Sequence, residues 1–486
     1  MGEKQSVVVI GAGVVGSLIA RELMKYNFSV TLIEREEDAG WGVTKANSAI
    51  IHGGYDDPPG TVRGEFAARG NELFTQYSEE LGFEMKRIGS YVLAFSEEEL
   101  PHLKELEERA EENGVPNCEI HGKDEILKRN PNVNPEVKAG FWCPTAGITE
   151  PWMVAIAGVE NAVLNGMVFK PGETVTDIET VEGEGGTAIK GVRTDKGFYE
   201  CDIVINAAGL YADKIAEMAG ADCPELHPRK GEYILLDKKI GPVVTNVLFP
   251  VPTKVSKGVL VLPTVDGGIL MGPTAEDLER DRKEDTATTA DGLREVVQKT
   301  SDMVVDLPIS ETVKTFAGLR PESPQKDFTI GTTSVWGFVN AAAMRSPGLT
   351  AAPAIARHIC TRVLAEDLNV PLKENPDFNP KLDPYPSLPE DDPSVWAEMV
   401  EKDERYGNVV CVCNKVTEAQ VIEAIRRGAR TIDGIKFRTR ASFGRCQGGF
   451  CLPKLAQILA DELNIPLNEV KQRSGETKLL TGRVRK

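Results

Sequence analysis

Three glycines, one glutamate and four cysteines carry the most specific chemistry in this chain. Gly11, Gly13 and Gly16 follow an apolar β-branched run at residues 7–10, and Glu34 ends the next apolar run. Glycines so spaced allow a tight turn, a close approach of backbone to pyrophosphate, and close helix-to-strand packing. An acid at the second strand's end accepts both hydroxyls of a ribose without a 2′-phosphate. The pattern predicts a bound dinucleotide, and at this point FAD and NAD both fit. Cys411 and Cys413 have one residue between them and Cys446 and Cys451 have four, with 32 residues between the pairs. Thiolates clustered in this way suit zinc or an iron–sulfur cluster. Arg320, in the run AGLRP, suits a phosphate or carboxylate through its forked guanidinium. Asn47, Ser48 and His52 lie in a polar, glycine-rich stretch, residues 35–74. A plain connection there would be short, and long loops of this kind carry function.

These residues need elements to position them. The first stretch reads as strand, helix to Tyr26, and a second strand at residues 30–33, so the helix N-terminus offers its unpaired N–H groups to phosphate. Residues 90–95 read as a strand, and Ser96 with Glu99 as a capping box for a charged helix to about Asn113. Residues 147–151 (GITEP) are expected to open another helix, with Pro151 near its first turn. Residues 167–200 read as an antiparallel meander turning at residues 184–186 and 195–197. A buried strand then meets the small-residue turn Ala207, Ala208 and Gly209, followed by a helix. Residues 227–308 read as antiparallel strands. The strand ending AGLRP is expected to bring Arg320 to a loop edge, and residues 345–348 to turn into a helix rich in small residues. Residues 366–405, rich in Pro, Asp and Glu, read as an extended linker or wrapping segment. The cysteines then fall between short helices, and the basic tail is expected to be mobile.

The chain has 486 residues and a formal charge of −18 with pI near 5.0. That balance opposes nucleic-acid phosphate and anionic lipid, so any anionic substrate must be met by locally placed Arg and Lys. No apolar run approaches the roughly 20 residues of a spanning helix, and the first strand begins too early for a signal peptide, which predicts a cytoplasmic protein. The remaining five cysteines are scattered singly and read as reduced thiols.

The stretch NSAIIHGGYDDPPG, following Glu34, resembles the corresponding segment of the glycine-oxidase and D-amino-acid-oxidase superfamily. It is similar in particular to FAD-dependent glycerol-3-phosphate dehydrogenases and oxidases and to L-2-hydroxyglutarate dehydrogenases. The resemblance decides for FAD. It implies that Asn47 and Ser48 run along the flavin, that Gly209 lies close to the dinucleotide, and that the helix N-terminus Gly348, Leu349 and Thr350 approaches the flavin pyrimidine edge. There the positive dipole end would stabilise the negative charge of reduction. It further implies His52 as the base for the substrate hydroxyl, with Arg320, Arg345 and Lys254 holding the substrate anion; Lys254 is carried by its PTK context. Asn27 and the pair Ala343-Met344 stand where the family commonly has Gly and Gly-Ile. The pattern C-x-C…C-Q-G-x-x-C resembles the bacterioferritin-associated ferredoxin-like domain, which implies a 2Fe-2S cluster on Cys411, Cys413, Cys446 and Cys451. That domain occurs fused to the large flavoprotein subunit of anaerobic glycerol-3-phosphate dehydrogenase, so the resemblance covers nearly the whole chain.

The expected fold is α/β: a discontinuous Rossmann-like FAD-binding domain (residues 1–88, 147–226 and 311–365) and an antiparallel-sheet substrate domain (227–310, with 89–146 as insertion or scaffold). A linker (366–405), a small helical cysteine-cluster domain (406–465) and a tail (466–486) follow. The implied activity is oxidation of glycerol 3-phosphate, with electrons passing through the cluster to a second flavoprotein or quinone-linked subunit in a hetero-oligomer. Alternatives are an L-2-hydroxyglutarate dehydrogenase, since the same cations could grip two carboxylates, and an electron-transfer subunit whose flavin site is idle.

Overall fold

The first strand, β1 (Ser6–Ile10), lies inside a six-stranded sheet ordered Thr329–Thr332, Phe338–Ala342, Ile203–Asn206, β1, β2 (Ser29–Glu34) and Val168–Pro171. This computed structural model describes residues 4–183, 185–252, 258–389 and 392–482. All pairs in the sheet are parallel except the outermost, Thr329–Thr332 against Phe338–Ala342. A parallel sheet is covered on both faces, which is why β1 reads as an unbroken apolar run. The helix α1 (Val14–Leu23) is buried along its whole length and packs against the helices Pro151–Leu164 and Gly348–His358. Ligands in such sheets sit outside the carboxyl ends of the strands, and the cavity described below opens there.

A nine-stranded sheet roofs that end. Its longest pairing joins His227–Leu236 to Thr312–Glu322, in register from His227 opposite Glu322 to Leu235 opposite Lys314, with a shift before Leu236 meets Thr312. The strand Thr312–Glu322 was expected in the third segment of the cofactor domain; it belongs to the roof, where it covers an edge that His227–Leu236 would otherwise leave unpaired. Arg320 consequently sits inside a strand and not at a loop edge. Ser90–Ala94, Ala139–Cys143 and Glu119–Gly122 extend the same sheet. One pair, Val247–Pro250 against Ser90–Ala94, is parallel within this mainly antiparallel roof.

Other expectations need correction. The segment GITEP does not open as helix: Gly147–Thr149 is a short strand between Ile50–Ile51 and Met85–Arg87, and the helix begins at Pro151. Val168–Pro171 is the edge of the parallel sheet and lies outside the meander, which comprises Val175–Gly183, Gly186–Thr194 and Phe198–Glu200. Within residues 366–405, Pro393–Lys402 is helical. The preceding stretch wraps the cofactor domain: the Asn27 N–H donates to the Lys373 carbonyl at 2.8 Å, the Leu382 N–H to the Glu80 carbonyl at 2.8 Å, and Leu372, Phe378, Leu382 and Tyr385 pack on its core. The tail is also packed through Leu479. Val470 is buried, Lys471 pairs with Glu37 at 2.8 Å, and the Glu37 N–H donates to Ser474 Oγ at 2.8 Å.

The cysteine domain folds around Val421, Ile425, Ile435, Leu455 and Leu459 from its three helices, Glu418–Arg426, Ile432–Thr439 and Leu452–Leu463. It is held to the cofactor domain by a buried ion pair. Arg438 reaches both oxygens of Asp38, and its Nε donates to Glu160 Oε1 at 3.1 Å. Around that pair, Phe437 and Phe443 pack on Trp152, with ring centroids 5.4 and 5.5 Å away. Among the described residues, no helix is long and apolar enough to cross a membrane.

Candidate active site

A single cavity of about 1640 Å³ runs from the nucleotide fingerprint, under the roof sheet, to the cysteine domain. At the fingerprint end Gly11 has φ +100°, and a Cβ on Gly16 would stand 1.9 Å from the Gly11 carbonyl oxygen, so both positions demand glycine. Gly13, on the cavity wall, is the N-cap of α1 and supplies no side-chain cap. The Val14 N–H donates to Thr44 Oγ1 at 3.0 Å, and the other amides of the first turn remain for an anion. Glu34 accepts from the Ala12 N–H at 2.7 Å and the Glu36 N–H at 3.0 Å. Burial pushes its carboxyl pKa up against the pull of those two donors, and each oxygen keeps a lone pair for a ribose hydroxyl. Gly209, at φ +57°, also lines this end.

At the roof end the structure gathers His52, Arg320 and Arg345 on one cavity wall. The His52 backbone N–H donates to Thr350 Oγ1 at 2.9 Å, Asn71 Nδ2 donates to the His52 carbonyl at 2.7 Å, and the ring Nε2 lies 3.3 Å from Ser346 Oγ. Arg320 donates through Nη2 to the Thr274 carbonyl at 2.8 Å and makes longer contacts, 3.4 Å, to the carbonyls of Arg229 and Lys230. Burial lowers the pKa of its guanidinium and nearby Arg229 adds to the effect; a cation so placed gains by meeting an anion. Arg345 Nη1 bridges to buried Glu322 at 2.8 Å, while Arg345 Nε and Glu322 Oε1 are buried without a partner among the described residues. Lys254 lies outside the described residues.

The flavin-contact expectations divide. Ser48 and Asn47 both line the cavity. Ser48 Oγ meets the Tyr233 hydroxyl at 3.3 Å, and the Tyr233 ring stacks on Phe316 at 4.8 Å. The Asn47 side chain is engaged in its own turn, donating to the Thr44 carbonyl at 2.7 Å and accepting from the Ala49 N–H at 2.7 Å. Gly348 and Leu349 are on the cavity wall. Thr350 is not: it is fully buried behind the wall and acts on the site through His52.

In the cysteine domain, Cys413 and Cys446 bring their sulfurs to 3.6 Å, and the buried thiols of Cys411 and Cys451 are near enough to interact electrostatically. Burial pushes the Cys446 thiol up, but the Phe450 N–H, the Cys413 thiol and the N–H groups of Gly448 and Gly449 together outweigh it and hold it below the ordinary range. Cys413 also lines the large cavity, together with Asn414, Arg440 and Phe443. The cysteine site and the dinucleotide site thus share one chamber.

Residues 6–362 match the family described as FAD dependent oxidoreductase. The chain belongs to that family. Residues 409–461 match the BFD-like 2Fe-2S binding domain. The chain is 43% identical over 479 residues to a glycerol 3-phosphate dehydrogenase of Caloramator mitchellensis, spanning 98% of each chain. Among solved structures it is similar to the dithionite-reduced L-alpha-glycerophosphate oxidase from Mycoplasma pneumoniae with FAD bound, with TM-score 0.73 and 31% identity over 79% of this chain and 100% of that one. The human mitochondrial L-2-hydroxyglutarate dehydrogenase is 29% identical over 281 residues, 55% of this chain and 60% of its own length.

As an FAD dependent oxidoreductase, the chain is an enzyme that binds FAD and carries a 2Fe-2S cluster. Its residues fit both groups. The α1 N-terminus, where Gly13 brings no side chain, and the steric demand for glycine at residues 11 and 16 suit the pyrophosphate. Four thiols in two close pairs, one with peptide N–H groups directed at its sulfur, suit a thiolate-ligated cluster. Several working residues carry no sequence signal of their own. Tyr233 and Phe316 appear only as apolar positions in strands, and Asp38 and Arg438 meet across 400 positions of sequence. Glu322 follows Arg320 in the run LRPE, and that proximity was the available hint.

Proposed function

We propose that this protein is an FAD-dependent glycerol 3-phosphate dehydrogenase that delivers electrons through its cluster to a partner protein. The observation carrying this reading is the convergence of His52, Arg320 and Arg345 at the roof end of the cavity whose other end holds the dinucleotide fingerprint. The full-length similarity to a glycerol 3-phosphate dehydrogenase supports it. Arg320 and Arg345 bind and orient the phosphate, with Lys254 as a third cation. Glu322 keeps the Arg345 guanidinium in place, Thr350 holds the His52 backbone, and Ser346 meets its imidazole. FAD, when bound, supplies at its N5 atom the acceptor for the hydride leaving C2 as glycerol 3-phosphate becomes dihydroxyacetone phosphate. His52 takes the proton of the C2 hydroxyl. The roof rings Tyr233 and Phe316 exclude water from this end.

The 2Fe-2S cluster takes electrons singly, so it suits an outlet toward a separate electron-accepting protein. Anaerobic addition of substrate tests the reading: glycerol 3-phosphate should bleach the yellow flavin and L-2-hydroxyglutarate should not. Bleaching by L-2-hydroxyglutarate alone would transfer the two guanidiniums to a dicarboxylate, and bleaching by neither would leave an electron-transfer role.

A further inference from the structure

The two most exposed large apolar side chains among the described residues are Val412, 76% exposed, and Phe450, 81% exposed. Both adjoin cluster cysteines. Val412 stands between Cys411 and Cys413, and Phe450 immediately precedes Cys451. The two segments are brought together by their sulfurs, Cys413 against Cys446 at 3.6 Å and Cys411 against Cys451. Large apolar groups this exposed, gathered at one functional place, mark an interaction site; single scattered ones do not. Cys413 faces the flavin cavity while its neighbour Val412 faces solvent, so this short stretch connects the inside of the enzyme to its outer surface.

Beside the patch in sequence the charged residues are basic, although Arg440 is paired with Glu150 and Asp266 and Arg445 with Glu311 and Asp237. From Arg440 to Ala460 the chain holds Arg440, Arg445 and Lys454 and no acid, and from Cys411 to Thr417 its one charged residue is Lys415. Lys415, Arg445 and Lys454 are exposed, and Arg445 also bridges to Glu311 in the roof domain. This happens on a molecule of net charge −18. An acidic protein is repelled by most of that surface and attracted here, so the field steers it to the cluster. A small apolar centre with a charged rim suits the brief encounters of electron carriers, whose interfaces are below about 1,200 Å².

We infer that Val412 and Phe450, rimmed by Lys415, Arg445 and Lys454, form the docking surface for an acidic one-electron carrier protein. The inference rests on the reading of the cluster as the electron outlet. Each encounter moves one electron from the reduced cluster to the carrier, and two encounters clear the pair released by one substrate.

The test uses holoenzyme, glycerol 3-phosphate as donor, the soluble domain of cytochrome b5 as acidic carrier and cytochrome c as basic carrier. Reduction of cytochrome b5 should slow with added salt, and Val412→Asp, Phe450→Asp and Lys454→Glu should each lower its kcat/KM by about tenfold or more. Flavin bleaching and cluster absorbance should stay at wild-type levels, and cytochrome c should be the poorer acceptor at low salt. Should Val412→Asp lose cluster absorbance, Phe450→Asp and Lys454→Glu carry the test. Wild-type reduction of cytochrome b5 by those two variants, or a rate indifferent to salt, overturns the docking surface. A separate result, wild-type reduction of cytochrome b5 by a cluster-free Cys446→Ser enzyme, would instead overturn the outlet on which it rests.

Discussion

His52 is tied at three points: its N–H to Thr350, its carbonyl to Asn71, and its ring to Ser346. As the proposed base, a His52 fixed in this way loses little entropy on meeting its proton, and general-base loss costs roughly a hundredfold or more. His52→Ala should therefore bind FAD normally while flavin reduction by glycerol 3-phosphate slows by about that factor in anaerobic stopped flow; an unchanged rate would assign the base elsewhere. Arg320 is a different case because it is buried against main-chain carbonyls. Arg320→Ala removes the charge-assisted contact proposed for the substrate anion, of about 1.5–3 kcal/mol, so kcat/KM should fall about 10- to 100-fold. If the contact tightens in the transition state, kcat falls as well as KM rising. It also strands the Thr274 carbonyl, so a lower Tm should accompany the kinetic defect. At this scale the sequence was informative wherever a residue type is forced by local chemistry. Gly11 needs a positive φ, Gly16 cannot carry a Cβ, and four thiols spaced as two pairs have few uses. It named Thr350 and Asn47 for the flavin but did not foresee their bonds: Thr350 Oγ1 accepts from the His52 N–H, 298 positions away, and Asn47 is engaged in its own turn.

Among elements, the strand Thr312–Glu322 shows where sequence patterning ends. Its run of apolar and β-branched residues reads as a strand, but nothing local says which sheet it joins; that choice depends on the edge left open by His227–Leu236. The steric fit is close once it is made. A Cβ on Gly318 would stand 1.8 Å from the Ala46 carbonyl oxygen, so this strand presses directly on the stretch carrying Asn47 and Ser48. The docking of the cysteine domain is equally non-local. Composition left residues 366–405 open as an extended linker or a wrapping segment and said nothing of the contact beyond them, where Arg438 is buried in a charged contact with Asp38 and Glu160, and Tyr385 donates to Glu160 at 2.7 Å. Removing one member of such a buried group leaves the carboxylates uncompensated, at a cost of about 3–5 kcal/mol. Arg438→Met should lower the unfolding midpoint and expose residues 366–405 to limited proteolysis, with flavin reduction by substrate nearly unchanged. Wild-type stability and protease resistance would show that the aromatic contacts of Phe437 and Phe443 hold the domains together unaided.

At the scale of the whole molecule, one cavity reaches both cofactor sites, and this arrangement assigns different jobs to its ends. His52, Arg320 and Arg345 are at the roof end; Cys413 is at the other boundary, in a domain with its own apolar core. Substrate chemistry and electron exit should therefore be separable by substitution. Cys446 sits on an exposed loop, paired with Cys413 and held by the N–H groups of residues 448–450, and contributes nothing to the packing around α1 and β1. Cys446→Ser replaces a thiolate with a hydroxyl that is a poor ligand for iron. The variant should lose cluster absorbance, iron and acid-labile sulfide, and turnover with a protein acceptor should fall to a few per cent or less. Glycerol 3-phosphate should still bleach its FAD at near wild-type rate, because the fingerprint, the roof and the guanidiniums are all outside the altered loop. The two rates are measured on one anaerobic preparation, by stopped flow without acceptor and by steady-state turnover with it. If bleaching slows in step with turnover, loss of the cluster has disturbed the flavin end, and the two sites act as one cooperative unit through the Arg438 contact. If turnover survives without iron, electrons leave directly from the flavin and the four cysteines serve the fold alone.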